Sequence, residues 1–149
     1  MTAIAPEIDS MLLSITEETH VHAPIAVTFA ALLEEMGPSN EGHPGTPMPM
    51  TLEPWPGGRW FRDLGDGNGH LWGHVQAIKR PTLLEITGPL MMSFAVSSNL
   101  QYRLKEANGV TSITLTHTAL GLFPEGYREQ LSQGWPLLFD RIRRRVEKA

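Results

Sequence analysis

Asn108-Gly109 stands between two runs that alternate apolar and polar residues, "NLQYRLKEA" before it and "VTSITLTHTAL" after it. Asn and Gly tolerate the left-handed backbone of a two-residue hairpin turn, so the runs fold back on each other as antiparallel strands. Such a turn pairs Leu104 with Ile113, Tyr102 with Leu115 and Leu100 with His117. One face of this hairpin is then apolar apart from Tyr102 and His117. The other carries Asn99, Gln101, Arg103, Thr114 and Thr116 and is wet. The pair therefore commits this half of the chain to an antiparallel sheet with a sided core.

That apolar face needs a cover, and the ends of the chain supply it. The first ten residues read as a loose lead-in, and residues 11–149 as a single domain. Alternation and β-branching predict a strand from Met11 to Ala23. Pro24 suits a first helical position, and "PIAVTFAALLEEM" sets Ile25, Phe29, Leu32, Leu33 and Met36 on one helical face with Glu34 and Glu35 left for solvent. Gly37-Pro38 ends that helix. "PSNEGHPGTPMPM" is a loop over the surface or over a pocket mouth, with His43 exposed. From Thr51 the signals are strands and turns. At Glu125 the period changes, and Leu131, Trp135, Leu138 and Ile142 form one helical stripe with Arg143, Arg144 and Lys148 solvated. Pro136 inside this run predicts a kink or two abutting segments. Strand, helix, a meander of about six strands and a final long helix make an α+β fold, with helices on one face of the sheet.

The segment "PGGRWFRDLGDGNGHLWGHV" (Pro56–Val75) carries most of the candidate chemistry. A turn at Gly67-Asn68 pairs Trp60 with Val75, Arg62 with Gly73 and Leu64 with Leu71, which sends Trp60 and Arg62 inward. Phe61, Trp72 and His74 then form an aromatic patch on the outer face, a candidate homodimer surface. An odd loop within residues 65–69 would turn the assignment over and pair Trp60 with His74. A turn at Arg80-Pro81 pairs Val75 with Ile86 and Ala77 with Leu84. The inward face of the three hairpins thus holds aliphatic residues plus Trp60, Arg62, Tyr102 and His117.

Bulk properties narrow the function. The net charge of −4 gives no general attraction to nucleic acid, and "RIRRR" reads as the solvated end of a helix, where cations are favoured. No apolar run approaches the roughly 20 residues of a membrane span. "MTAIAPEIDS" lacks the pattern of a secretory signal, and a cytoplasmic location is the default expectation. The chain has no cysteine, so it has no disulfide, thiolate metal site or cysteine nucleophile. His70 and His74 would lie about 13 Å apart along a strand, and no spacing matches a metal motif, so no metal or other cofactor is expected. "GDGNG" leads into a strand, which leaves a dinucleotide site without support.

The ordered series "HAPIAVTFAAL", "PGGRWFRD", "GHV", "RPTLLEITGP", "TSITLTHTALG" and "GWPLLFDRI" resembles the SRPBCC or START-like superfamily, in the branch related to the C-terminal domain of the heat-shock ATPase activator. The resemblance covers Leu12 to Val146. It implies a helix-grip fold, in which a curved antiparallel sheet of six or seven strands wraps a long C-terminal helix and leaves a hydrophobic tunnel between them. Relatives bind lipids, sterols or polyketides, or act as cyclases.

On this reading Trp60, Arg62, Tyr102, His117 and Trp135 are the candidate binding residues for a small hydrophobic or aromatic molecule, since such sites combine an apolar lining with a few polar groups. An alternative is a cyclase, dehydratase or hydrolase in which His117 carries a proton and Arg62 holds an oxyanion. The bland reading makes His117 a satisfied core or rim histidine, Trp135 a core residue, and Arg62 the partner of Asp63 or Glu85. A third reading is a dimeric interaction module acting through Phe61, Trp72 and His74.

Overall fold

The alternation that starts at Leu12 becomes strand β1 (Leu12–Val21), and Pro24 caps helix α1 (Ile25–Met36). A short hairpin follows, β2 (Glu41–His43) and β3 (Thr46–Pro47), in the segment expected to be a loop. Then come β4 (Thr51–Leu52), β5 (Arg59–Gly65), β6 (Asn68–Lys79), β7 (Leu83–Gly88), β8 (Val96–Ala107), β9 (Val110–Gly121) and the long helix α2 (Tyr127–Val146). The computed structural model describes residues 7–91 and 93–147. Seven strands form one antiparallel sheet in the order β1-β9-β8-β7-β6-β5-β4, and β2–β3 stands apart from it. Of the expected lead-in, residues 1–6 lie outside the described residues. Ile8–Met11 form a 3-10 turn, and Arg128 of α2 donates to the carbonyls of Asp9 and Ser10 at 3.3 and 2.9 Å.

The hairpin at Asn108-Gly109 has the predicted register, with Leu100 opposite His117, Tyr102 opposite Leu115 and Leu104 opposite Ile113. Both turn residues have positive φ, 54° and 77°, as this two-residue turn requires. Along β9 the inward file is Thr111, Ile113, Leu115, His117 and Ala119, all buried. On the far side Glu85 accepts from Asn99 at 2.7 Å, and Gln101 donates to Asn99 at 3.0 Å, a polar ladder facing away from the core.

Between β6 and β7, Val75 faces Ile86 as predicted, but Ala77 faces Glu85 rather than Leu84. The connection is three residues, Arg80 to Thr82, and a register shift between Val75 and Ala77 absorbs the odd residue.

α2 runs as one element through Pro136, where the sequence predicts a kink or two segments. The carbonyl that a proline leaves unpaired four residues earlier belongs to Ser132, which is exposed to water. Leu131, Trp135, Leu138 and Ile142 are buried as the stripe predicts, joined by Phe139. Lys148 lies outside the described residues.

The termini of α1 are completed by distant residues. Pro24 has no side-chain donor or acceptor to cap the helix, and Glu106 at the end of β8 accepts from the Ile25 N–H at 2.5 Å. At the other end the Trp60 indole donates to the carbonyl of Met36 at 2.8 Å. Both contacts fix α1 against the sheet and so set the width of the space that α2 closes.

Candidate functional site

A cavity of about 150 Å³ opens between the sheet and α2, roofed by the β2–β3 hairpin. Its sheet wall is Trp60 and Trp72. Its helix wall is Leu131, Gly134, Trp135 and Leu138, and Met36 at the end of α1 and Met48 just after β3 complete the apolar lining. Met91 and Leu137 stand at the rim, 40% and 41% exposed, beside the polar side chains of Asn40, Glu41, His43, Gln130 and Arg141, so an apolar interior opens through a mixed mouth. The expected loop over the pocket mouth is therefore the β2–β3 hairpin, which contributes Glu41, Gly42, His43 and Pro44. Gly134 matters to this opening. It is exposed on α2 at the cavity's edge, and a Cβ built there meets nothing within 4 Å.

Trp72 reaches the cavity because the β5–β6 hairpin does not have the expected register. The turn is Asp66-Gly67, with Gly65 opposite Asn68, one residue earlier than Gly67-Asn68. Leu64 is extra on β5, and Trp72 is extra on β6, so Trp72 and Gly73 together stand opposite Trp60. The bulge rolls Trp72 to the inner face, where it packs edge-on against Trp60 with ring centroids 4.9 Å apart. Glycine makes this geometry feasible. A Cβ on Gly73 would lie 2.6 Å from the Thr87 carbonyl oxygen, and one on Gly88 would lie 2.5 Å from the Trp72 carbonyl oxygen. The two strands approach more closely here than side chains permit.

The expected outer patch of Phe61, Trp72 and His74 therefore does not assemble. Trp72 is 8% exposed on the inner side, whereas His74 is exposed outside. Phe61 is half-buried beneath the Arg59 guanidinium, 4.6 Å from the ring centroid, and Glu53 holds that guanidinium at 2.8 Å.

Arg62 also departs from expectation. It faces His70 instead of Gly73, does not line the cavity, and donates to the carbonyl of Pro49 at 2.8 Å. The short strand β4 pairs with β5 only at Thr51 and Leu52, so the chain just before it passes Arg62 and offers an unpaired carbonyl. Neither Asp63 nor Glu85 is its partner.

Tyr102, His117 and Trp135 do come together, beneath α2 and behind the cavity wall. Trp135 stacks edge-on against both, at 6.5 Å from Tyr102 and 5.7 Å from His117. Its indole N–H donates to His117 Nδ1 at 3.3 Å, which assigns the imidazole proton to Nε2. His117 Nε2 and the Tyr102 hydroxyl are buried and have no protein partner. Burial pushes the His117 pKa down from 6.5 to about 4, so the ring is neutral at physiological pH. Burial pushes the Tyr102 phenol up, with Arg141 opposing weakly. Trp135 is the partition: one side lines the cavity, and its N–H points at the imidazole behind it.

Glu35 is a buried charge that no local sequence signal marks. It was expected in solvent but is 4% exposed, and it accepts from Arg141 Nε at 3.0 Å and Arg145 Nε at 2.6 Å. The spacing of Arg141 and Arg145, four residues apart on one helix face, was the available signal. What it lacked was the knowledge that α1 crosses that face. Among the described residues no group of three or more histidines, aspartates or glutamates gathers to hold a metal, and no helix is long and apolar enough to cross a membrane.

Solved structures share this architecture. An uncharacterised protein from Rhizobium leguminosarum superposes with a TM-score of 0.70 at 18% identity, over 93% of this chain and 96% of its own. Ara h 8.0201 gives 0.66 at 17% identity, over 91% and 97%. CalU16 from Micromonospora echinospora gives 0.62 at 18% identity, over 87% and 71%. At these identities the likeness shows the fold alone, a helix-grip domain. No curated protein sequence matches significantly. The family model for Activator of Hsp90 ATPase homolog 1-like protein matches residues 22–147, from three residues before α1 to one residue past the end of α2. The chain belongs to that family.

Proposed function

We propose that this domain binds a small aromatic or hydrophobic molecule in the cavity between the sheet and α2, with Trp60, Trp72 and Trp135 as its contact surfaces. The observation that carries this reading is the apolar hollow walled by three indoles and bordered by Gly134 on the helix. Dry apolar cavities of this size accept single-ring compounds; an engineered one of about 150 Å³ takes up benzene. Small-ligand sites with larger guests run from roughly 300 Å³ upward, so the guest here is a single ring with a short chain. Tyr102 and His117 belong to a second layer on this reading. They lie behind Trp135 and reach a guest only through its displacement.

The acid–base alternative has less support. His117 is fully buried away from the cavity, and Arg62 is engaged at Pro49, so the two do not face a common reacting atom. The dimer reading through Phe61, Trp72 and His74 has less support, because Trp72 is buried on the inner face.

The test is a nuclear magnetic resonance titration with single-ring compounds such as toluene, phenol and indole, following the four indole N–H signals. Trp55 is 53% exposed and absent from the cavity wall, which makes it an internal control. The signals of Trp60, Trp72 and Trp135 are expected to move while Trp55 stays. No movement with any compound, or equal movement of all four, overturns the proposal.

A further inference from the structure

The cavity does not end at its indole walls. Arg141 lines it and also lines a second, open cleft bordered by Glu35, Glu41, Pro44, Gly45, Arg144 and Arg145. Arg141, Arg144 and Arg145 lie within one turn of α2, at spacings that place them on neighbouring helix positions. Resting on the ligand-binding reading above, we infer that the ligand is a monoanion: an aryl group with a short chain ending in a carboxylate, its ring among the indoles and its charge in the arginine cleft.

The charges support this class. Three guanidiniums border the cleft against two carboxylates, which leaves one positive charge uncompensated. The distribution is also uneven. Glu35 is occupied by Arg141 and Arg145, and one oxygen of Glu41 accepts from the Gly45 N–H at 3.1 Å. Arg144 is exposed and makes no ion pair among the described residues. The pairing with Glu35 uses the Nε of both Arg141 and Arg145, which leaves terminal nitrogens of Arg141, at the junction of cavity and cleft, for a guest. Guanidinium forks match carboxylate geometry, and charge-assisted hydrogen bonds are stronger than neutral ones. A dianion would exceed the single free charge, and a neutral molecule would leave the Arg144 end of the cleft unused.

The experiment is a calorimetric titration of the full chain with a matched pair, 3-phenylpropionate and 3-phenylpropanamide, at low and moderate salt. The carboxylate is expected to bind about tenfold more tightly than the amide. Its affinity should fall with added salt while the amide's stays constant. Arg144→Gln is a surface change that leaves the Glu35 pairs intact. It should weaken the carboxylate about fivefold and leave the amide within twofold. Equal binding of acid and amide, or an acid affinity that Arg144→Gln does not change, overturns the monoanion inference while the cavity reading stands. Failure of both compounds to bind overturns both.

Discussion

The indole of Trp135 donates its N–H to Nδ1 of His117 across 3.3 Å, and the imidazole's other nitrogen is buried without a protein partner. This relationship makes the fold sensitive to acid. In the unfolded chain His117 takes up a proton near pH 6.5, whereas burial holds it off until about pH 4 in the fold. Between those values the unfolded state binds more protons, so stability falls as pH drops through that window and levels off below it. A depression of this size is worth on the order of 3 kcal/mol. Urea denaturation of wild type and His117→Leu from pH 7 to pH 4 measures it. The gap between the two curves should change across the window in favour of the variant, and parallel curves would refute the assignment.

Gly134→Leu should fill the cavity from the helix side. A Cβ at this position meets nothing within 4 Å, and a mid-helix glycine costs about 1 kcal/mol relative to a good helix former. The variant is expected to melt at or above the wild-type temperature and to lose the ligand-induced movement of the indole signals. Retained binding in a folded Gly134→Leu protein would place the guest elsewhere.

Glu35→Gln removes the carboxylate that Arg141 and Arg145 share. The Arg141 side chain is 11% exposed, so its charge would be left unpaired in a poorly solvated place, at a cost of about 2 kcal/mol. Arg145 is 41% exposed, and Arg145→Gln should cost under about 1 kcal/mol. Chemical denaturation of both variants distinguishes the buried pair from the exposed one. Equal effects would mean that Glu35 is solvated after all.

Gly73→Ala places a methyl group 2.6 Å from the Thr87 carbonyl oxygen and 3.0 Å from Ile86 Cγ2. Relieving that clash requires β6 and β7 to part, which disturbs the bulge that presents Trp72. The expected loss is about 2 kcal/mol, together with a weaker near-ultraviolet dichroism from the Trp60–Trp72 pair. A variant with unchanged stability and an unchanged aromatic spectrum would show that the strands give way easily.

The α+β order, both helices, the inward file of the β8–β9 hairpin and the buried stripe of α2 were legible in the sequence. Each depends on a local period or on a turn with one dominant geometry, as at Asn108-Gly109. The burial of Trp60, Tyr102 and His117 follows from strand alternation, and that of Trp135 from the helical stripe. The parts that decide the cavity are of another kind. Whether "GDGNG" turns at Asp66-Gly67 or at Gly67-Asn68 is a choice between neighbouring glycine-rich turns of similar local energy. The contacts of Trp72 with Trp60, and of Gly73 with Gly88, select one of them and add a bulge.

Likewise, nothing local distinguishes Glu35 from Glu34 beside it, or sends Arg62 to the carbonyl of Pro49. Those outcomes depend on where α2 crosses α1 and where the chain enters β4, contacts between segments far apart in sequence. Period and turn chemistry act over a few residues, so the chain by itself determined the elements and which faces they bury. Register shifts, charge partners and the hollow between the layers arise only when those faces meet, and tertiary packing decided them.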